Sequence, residues 1–218
     1  MKFDLHIHSA YSDDSDITPK DIIKIAETKD LDGIAFLDHN TLDGYLKSKY
    51  LDTDLIIVPA MEVSTKQGHI MALGVQEEIE DRLSIEETID RVEERSGLAI
   101  AVHPFRTASG LGEINIRQNN WDAIEGMNGR CKEANNKKSR DLAADLDLPV
   151  TGGSDAHRLE DVGKAFTIFE NVEDWEDVIR EVSRGNTEVG GESRTFCDYI
   201  FYLRRTFFRW IKRGFKKI

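Results

Sequence analysis

Along the chain, short runs of apolar and β-branched residues alternate with longer stretches in which apolar residues recur every three or four positions. The first pattern is typical of strands and the second of amphipathic helices. Two helix starts are explicit: Thr18 can act as an N-cap before Pro19, and Ser84 and Glu87 have the spacing of a capping box. The predicted strands are 2–7, 33–37, 55–59, 68–73, 98–102, 123–125, 149–151, 165–169 and 187–189, and the predicted helices are 18–29, 41–50, 84–95, 132–146 and 174–184.

This alternation, with strands that are apolar on both faces, predicts an α/β fold in which a parallel sheet is covered by helices. The number of strand–helix units in residues 1–195 favours a small or incomplete (β/α) barrel. We therefore expect one domain over residues 1–195, followed by a short separate segment, 196–218.

The segment 196–218 predicts a basic amphipathic helix, because on a helical wheel most of its apolar residues occupy one half and most of its cations the other. Such a helix could dock on its own barrel, on a protein partner or on an anionic membrane surface. We expect docking on the barrel or on a partner.

Composition and charge narrow the class of protein. The 218 residues are 39% hydrophobic and 32% charged, and no run of 18 apolar residues occurs, which excludes a membrane-embedded or disordered chain. Residues 198–218 hold seven Lys/Arg and one acid, which leaves 22 basic and 40 acidic residues in 1–197. We expect no duplex nucleic-acid partner, because duplex binding needs a basic face. Two isolated cysteines, Cys131 and Cys197, and a start without an apolar leader predict a cytoplasmic protein.

Candidate chemistry is concentrated at the ends of the predicted strands. Five of the six histidines stand at or just after the C-terminal end of a strand, and two acids, Glu62 and Asp155, also follow strands. His69 differs, since it lies near the start of its strand and close to Glu62 across a tight connection. All strand C-termini of an α/β barrel meet at one rim, so these side chains would gather there. The histidines are His6, His8, His39, His69, His103 and His157.

The pair His6 and His8 indicates metal binding. Side chains alternate along a strand, so both histidines would point to one face together with Asp4 and could hold one ion. Asp155 and His157 repeat this spacing. Imidazole with carboxylate is a ligand set of Zn, Mn and Fe, and at least eight candidate ligands predict two or three divalent ions.

Other roles are open for single residues. A lone histidine on an apolar strand is usually a hydrogen-bonded core residue, but this explanation does not extend to all six. Glu62 and Asp155 could be N-cap or turn residues. Asp13 and Asp14 could both belong to a turn, and their spacing does not choose between them.

Five separated segments resemble, in order and approximate spacing, the signature of the PHP (polymerase and histidinol phosphatase) superfamily. They are 4–13, 38–40, 62–64, 102–104 and 153–157. The resemblance covers residues 1 to about 190. It implies a distorted seven-stranded, TIM-like (β/α) barrel with two or three metal ions at its C-terminal rim. Within the superfamily, 124–130 is similar to the small metal-dependent phosphoesterase branch.

The resemblance also implies which residues hold each ion, with Glu62 bridging the first and second ions. The first would be held by His6, His8, Glu62 and Asp155, the second by Glu62, His69 and His103, and the third by Asp13, His39 and His157.

Together these features predict hydrolysis of a small phosphorylated metabolite or nucleotide by a metal-bound hydroxide. Asp155 would orient that hydroxide in addition to binding metal. Arg106 and Arg130, each just beyond a strand end, are candidates for binding the phosphate, because a guanidinium fork fits two phosphate oxygens. Either arginine could instead be a solvated surface residue.

Three other functions are open. A 3′–5′ exonuclease on single-stranded nucleic acid would need a basic channel, and the acidic body lacks that charge. A non-catalytic metal-binding scaffold would be expected to have lost ligands, and none is missing. Amide-bond hydrolysis would use the same ligand types.

Overall fold

The structure is a computed structural model that describes residues 1–195. The predicted C-terminal helix, 196–218, lies outside the described residues. The strands are β1 (Lys2–Ile7), β2 (Gly33–Phe36), β3 (Ile56–Val58), β4 (Ala60–Ser64), β5 (His69–Leu73), β6 (Leu98–Ala101), β7 (Ala123–Asn128), β8 (Val150–Gly153), β9 (Ala165–Ile168) and β10 (Glu188–Gly191). The helices are α1 (Pro19–Thr28), α2 (Asp43–Ser48), α3 (Ile85–Glu94), α4 (Gly112–Gln118), α5 (Glu133–Asp145) and α6 (Trp175–Ser183), with a 3₁₀ turn at Leu159–Asp161.

The strands form one sheet that curls into a nearly closed barrel. Its order is β3-β2-β1-β9-β8-β7-β6-β5-β4, and β10 pairs with β9. Strands β1, β2 and β3 are parallel neighbours, as are β6, β7 and β8. Strands β5 and β9 are antiparallel to both of their neighbours on this path. The prediction of a parallel sheet is therefore right for two blocks of strands and wrong for β5 and β9; only four residues, 65–68, connect β4 to β5, so the chain must reverse there.

The barrel closes through one stretch of chain, 56–64. Strands β3 and β4 lie at opposite ends of the sheet order, yet only Pro59 separates them. Proline has no N–H to donate, which is consistent with a break in the ladder at that residue. Pairing with the β2 side resumes beyond Pro59. His39 pairs with Glu62 and Gly33 pairs with Ile56, so both pairs join residues that are 23 positions apart in the sequence. The strand count exceeds the seven that the resemblance implies, because this stretch counts twice and because β9 and β10 add an antiparallel pair.

The helices begin where the sequence supplies caps. The Thr18 side chain accepts from the backbone N of Asp21 at the start of α1, and Ser84 and Glu87 form the predicted capping box at α3. Helix α4 is absent from the sequence prediction, since it has seven residues and Leu111 at its N-cap makes no side-chain hydrogen bond. No helix within the described residues has the length and hydropathy needed to cross a membrane.

A bulge in β1 changes which residues face the barrel interior. Asp4 is paired with Ile34 but Ile7 with Phe36, so β1 contains one more residue than β2 between these pairs. Before the bulge, Phe3 packs in the apolar cluster shared by β2, β5 and β6; after it, Ile7 packs in the cluster that contains the buried side of α1. Residues of opposite parity therefore point inward on the two sides of the bulge.

Candidate metal centre

His6 and His8 turn into the barrel beyond the β1 bulge and meet there. Asp4, before the bulge, is directed elsewhere: it accepts from the backbone N of Ser154 (2.8 Å) and of Gly163 (2.7 Å). The prediction that Asp4 shares a face with the two histidines is therefore wrong, because the extra residue in β1 rotates the strand.

His69 reaches the same rim by a different route. Strand β5 is antiparallel to β4 and β6, so its first residue, rather than its last, lies at their C-terminal end. The Nδ1 atom of His69 lies 2.8 Å from Glu62 Oε1. The predicted place of His69 at the start of its strand is confirmed.

Glu62 lies at the centre of the site, with a side chain that is 1% exposed. Its Oε1 atom is 2.8 Å from His69 Nδ1 and 2.9 Å from His103 Nε2. Its Oε2 atom is 3.2 Å from His8 Nε2, 3.4 Å from His39 Nδ1 and 3.6 Å from His6 Nε2. Burial by itself would raise the pKa of Glu62, but these imidazoles hold it well below its usual value. One carboxylate thus faces five imidazoles.

The ring nitrogens of His6 and His8 that face the site point at each other, with their Nε2 atoms 3.2 Å apart. His6 Nδ1 lies 2.7 Å from Glu125 Oε1, and His8 Nδ1 lies 3.2 Å from Ser12 Oγ. The Ser12 hydroxyl donates to Asp38 Oδ1 (3.0 Å), so it accepts from His8. Both Nδ1 atoms are therefore donors, and the Nε2 lone pairs converge on one place that requires a cation.

Burial lowers the pKa of His6, but Glu125 and Asp155 outweigh it and raise the pKa well above its usual value. Burial, with the charge of His157, lowers the pKa of His8. The pKa values of the two imidazoles are therefore shifted in opposite directions, and a divalent ion would compete with protons for their Nε2 atoms.

Asp155 stands on the other side of this pair, at a left-handed φ of 53°. Its carboxylate oxygens lie 3.7 Å from His8 Nε2 and 3.9 Å from His6 Nε2. Arg106 donates to Oδ2, and Arg130 donates to Oδ1 at 2.8 Å. Burial would raise the pKa of Asp155, but the two guanidinium groups hold it well below its usual range. Both arginines predicted from the sequence therefore lie at the site.

Asp14, rather than Asp13, joins the third group of side chains. Asp14 Oδ2 lies 2.6 Å from His157 Nε2 and 3.9 Å from His39 Nε2. Asp13 is exposed. The assignment of Asp13 is corrected to Asp14, because the turn after β1 directs residue 14 to the site and residue 13 to solvent.

The donor atoms fit divalent metal ions. Four groups of three residues each place a nitrogen or carboxylate oxygen within 4.8 Å of one another: His6, Glu62 and His103; His6, His8 and Asp155; His8, Asp14 and His157; and His8, His39 and Glu62. Buried Nδ1 atoms of His39 and His103 have no hydrogen-bond partner. Mixed imidazole and carboxylate donors at such spacing suit a zinc-, manganese- or iron-type ion.

Two buried residues of β7, Glu125 and Asn128, belong to the site and were not assigned to it from the sequence. Asn128 donates through Nδ2 to Glu125 Oε2 (3.0 Å) and to Asp155 Oδ2 (3.1 Å). The signal was available, since both polar residues follow the apolar pair Ala123 and Ile124 at the end of a strand, as the histidines do.

Comparisons with known proteins find a family model and relatives that match this chain. The family model described as PHP-associated matches residues 133–187. The uncharacterized protein MJ1587 of Methanocaldococcus jannaschii is 39% identical over 141 residues, which cover 59% of this chain and 82% of that protein.

Solved structures share the fold at low sequence identity. A two-domain protein from Bacteroides vulgatus that contains a predicted PHP-like metal-dependent phosphoesterase has a TM-score of 0.68 and 16% identity; the match covers 88% of this chain and 65% of that one. This chain thus spans less than two thirds of that protein. An amidohydrolase from Chromobacterium violaceum has a TM-score of 0.65 and 17% identity, with 86% and 98% covered.

Proposed function

The chain belongs to the PHP superfamily, and from this premise we propose that it is a metal-dependent phosphoesterase that hydrolyses a small phosphorylated metabolite or nucleotide. The observation that carries the proposal is the position of Arg106 and Arg130 beside a buried group of imidazoles and carboxylates. The imidazoles and carboxylates suit divalent ions, and the guanidinium groups suit a phosphate.

Two or three divalent ions, which we expect to be Zn, Mn or Fe, would be held by this group, with Glu62 shared between ions. When bound, such ions supply a water of lowered pKa as nucleophile and stabilise the charge of a phosphate. The proposed ligands are His6, His8, Asp14, His39, Glu62, His69, His103, Asp155 and His157.

The two arginines would bind and orient the phosphate. Their side chains are 24% and 23% exposed, so both can be reached from solvent while one side remains buried against Asp155. Arg106 also donates to Asn128 Oδ1 at 3.1 Å, which fixes the plane of its guanidinium. Burial lowers the pKa of Arg106, but the charge of Asp155 outweighs this effect and raises the pKa above its usual value. The guanidinium therefore stays cationic at every physiological pH.

Asp155 would orient the attacking water. Its depressed pKa makes it a carboxylate at neutral pH, which accepts hydrogen bonds and cannot donate them. A water next to Asp155 would therefore point a proton at it and a lone pair away from it. The excess of acidic residues in 1–197, 40 against 22 basic residues, favours a small substrate over a long nucleic acid.

The test is a panel of phosphomonoesters, phosphodiesters, single-stranded oligonucleotides and amides, each assayed with Mn²⁺, Zn²⁺ or Fe²⁺. We expect turnover of small phosphoesters that is lost when the metal is chelated. Turnover of amides alone would contradict the proposal, as would failure to hydrolyse any phosphoester with any of the three ions.

Arg130→Ala tests the phosphate role separately. We expect kcat/KM for the active phosphoester to fall by about 100-fold, the size of effect seen when one charge-stabilising donor is removed. Bound metal, measured by elemental analysis, separates a phosphate role from a loss of metal, because Arg130 also contacts two proposed ligands, Asp155 (2.8 Å) and His157 (2.9 Å). Arg117→Ala is the matched control, since Arg117 pairs with Glu113 and Asp145 on the surface; an equal loss in both variants would contradict the assignment.

A further inference from the structure

Glu125 is a buried carboxylate to which the proposed reaction gives no role. It lies on β7, its side chain is fully buried beside that of His6, and it belongs to none of the four metal-binding groups. Its two oxygens accept three hydrogen bonds: Oε1 from His6 Nδ1 (2.7 Å), and Oε2 from the backbone N of His103 (2.7 Å) and from Asn128 Nδ2 (3.0 Å).

The first of these bonds fixes the ring of His6. Because a carboxylate only accepts, the proton of the short contact must lie on His6 Nδ1. The Nε2 lone pair is then directed to the place it shares with His8 Nε2, 3.2 Å away. Without Glu125, the ring could carry its proton on either nitrogen and could rotate.

The second bond fixes the main chain at His103. This residue has a φ of 30°, in the left-handed region that is unfavourable for residues other than glycine. Glu125 holds the backbone N of that residue, and the resulting turn directs His103 Nε2 to within 2.9 Å of Glu62 Oε1. One side chain therefore positions both imidazoles of the group formed by His6, Glu62 and His103.

The third bond connects Glu125 to the substrate side of the site. The Asn128 amide that donates to Glu125 also donates to Asp155 Oδ2 at 3.1 Å, and its Oδ1 accepts from Arg106. Asn128 is itself fully buried, so this link is shielded from water.

From these contacts we propose that Glu125 is a positioning residue that presets His6 and His103 for metal binding, and that its main effect is on metal affinity. The inference rests on the proposed metal centre but concerns a residue that is not one of its proposed ligands. Partners that orient metal-binding histidines in this way typically change metal affinity by 10- to 100-fold.

The test is metal titration of Glu125→Gln by calorimetry with Zn²⁺ or Mn²⁺ alone. A glutamine amide offers one acceptor where the carboxylate offers two, so either His6 or the His103 turn loses its partner. We expect the dissociation constant of the tightest site to rise 10- to 100-fold. Asp122→Asn is the matched control, since Asp122 precedes the same strand and accepts from Ala99 N at 2.7 Å, away from the site. This variant should bind metal with the affinity of the unmodified protein.

Two outcomes separate this inference from the proposed function. If the unmodified protein binds no metal, the proposed function fails. If it binds metal and Glu125→Gln binds the same ions with the same affinity, the inference about Glu125 is overturned while the proposed function stands.

A second measurement covers a variant that does not fold. In the unmodified protein, NMR should show a slowly exchanging, downfield proton on His6 Nδ1, assigned by its loss in His6→Gln. An unprotonated His6 Nδ1 in both the metal-free and the zinc-loaded protein would overturn the inference without any variant at Glu125.

Discussion

Single residues at the rim hold conformations that a side chain disfavours. Asn40, His103 and Asp155 have φ angles of 57°, 30° and 53°. Each of the three backbone N–H groups is held: Asn40 N by Glu62 O at 2.9 Å, Asp155 N by His6 O at 2.7 Å, and His103 N by Glu125. The hydrogen bonds that offset this strain all come from residues of the site, so the ligands and the turns that carry them support one another.

At the same scale, the buried carboxyl of Asp4 should make the stability of the fold depend on pH. Burial raises the pKa of its carboxyl to about 6, from 3.8 in the unfolded chain, although three backbone amides partly counteract the effect. The folded protein therefore binds more protons than the unfolded chain between these values. The contribution of Asp4 to the free energy of unfolding is complete below pH 3.8 and is lost as the pH rises through 6. The loss is about 3 kcal/mol, because each unit of pKa difference corresponds to about 1.36 kcal/mol.

Asp4→Asn isolates this term, because the asparagine does not titrate. We expect the variant to be less stable than the unmodified protein at pH 4, and the difference in unfolding free energy to shrink by about 3 kcal/mol by pH 7. Urea unfolding of both metal-free proteins across this range measures it. A difference that stays constant with pH would show that the carboxyl of Asp4 does not titrate in the window.

Residue-level prediction from the sequence succeeded where strand ends decide position and failed where a local irregularity does. All six histidines lie at one rim, because each sits where a strand meets that rim. The inward face of β1 was misassigned at Asp4, since a bulge leaves no pattern in a six-residue strand. Asp13 was assigned from the family resemblance, but spacing does not choose between adjacent acids, and the turn after β1 places Asp14 at the site.

At the scale of elements, the helices carry their own start signals and the strands do not carry their direction. Caps at Thr18 and Ser84 act within one turn, so the sequence displays them directly. The direction of β5 and β9 depends on which distant strands they pair with, and apolar strands buried on both faces look the same in either direction. The barrel was therefore predictable, while its strand count and two strand directions were not.

Ser84→Ala tests the element-level argument. Removing the capping hydroxyl leaves the Glu87 backbone N at the start of α3 without its partner, 3.2 Å away. We expect the unfolding free energy to fall by about 1 kcal/mol. Ser183→Ala, an exposed serine at the end of α6, should change it by only a few tenths; equal effects of the two substitutions would contradict a capping role.

At the scale of the whole molecule, the site and the closure of the barrel coincide. His39 and Glu62 pair across the line where the β2 side meets 56–64, and the backbone N of Glu62 donates to Asp38 O at 3.0 Å. Ions held by these side chains would therefore also join the two sides of the barrel.

Metal removal should loosen the barrel along this line. With an ion present at 100 times its dissociation constant, we expect the free energy of unfolding to rise by about 2.7 kcal/mol, and a chelator should reverse the rise. In a chain of this size that gain is a rise in Tm of about 5–10 °C. Amide exchange at Asn40 and Glu62 should slow when metal is added, while amides inside α3 should change less; Glu62→Gln should lose most of the metal-dependent rise. A Tm that is the same with metal and with chelator would contradict the coupling.

The stretch 56–64, which passes through Pro59, has a consequence for ligand access to the site. Since one covalent segment supplies both β3 and β4, the wall it forms cannot part sideways to admit a ligand. On this side of the barrel, a ligand would have to reach the site from the rim at which the strands end rather than between two strands.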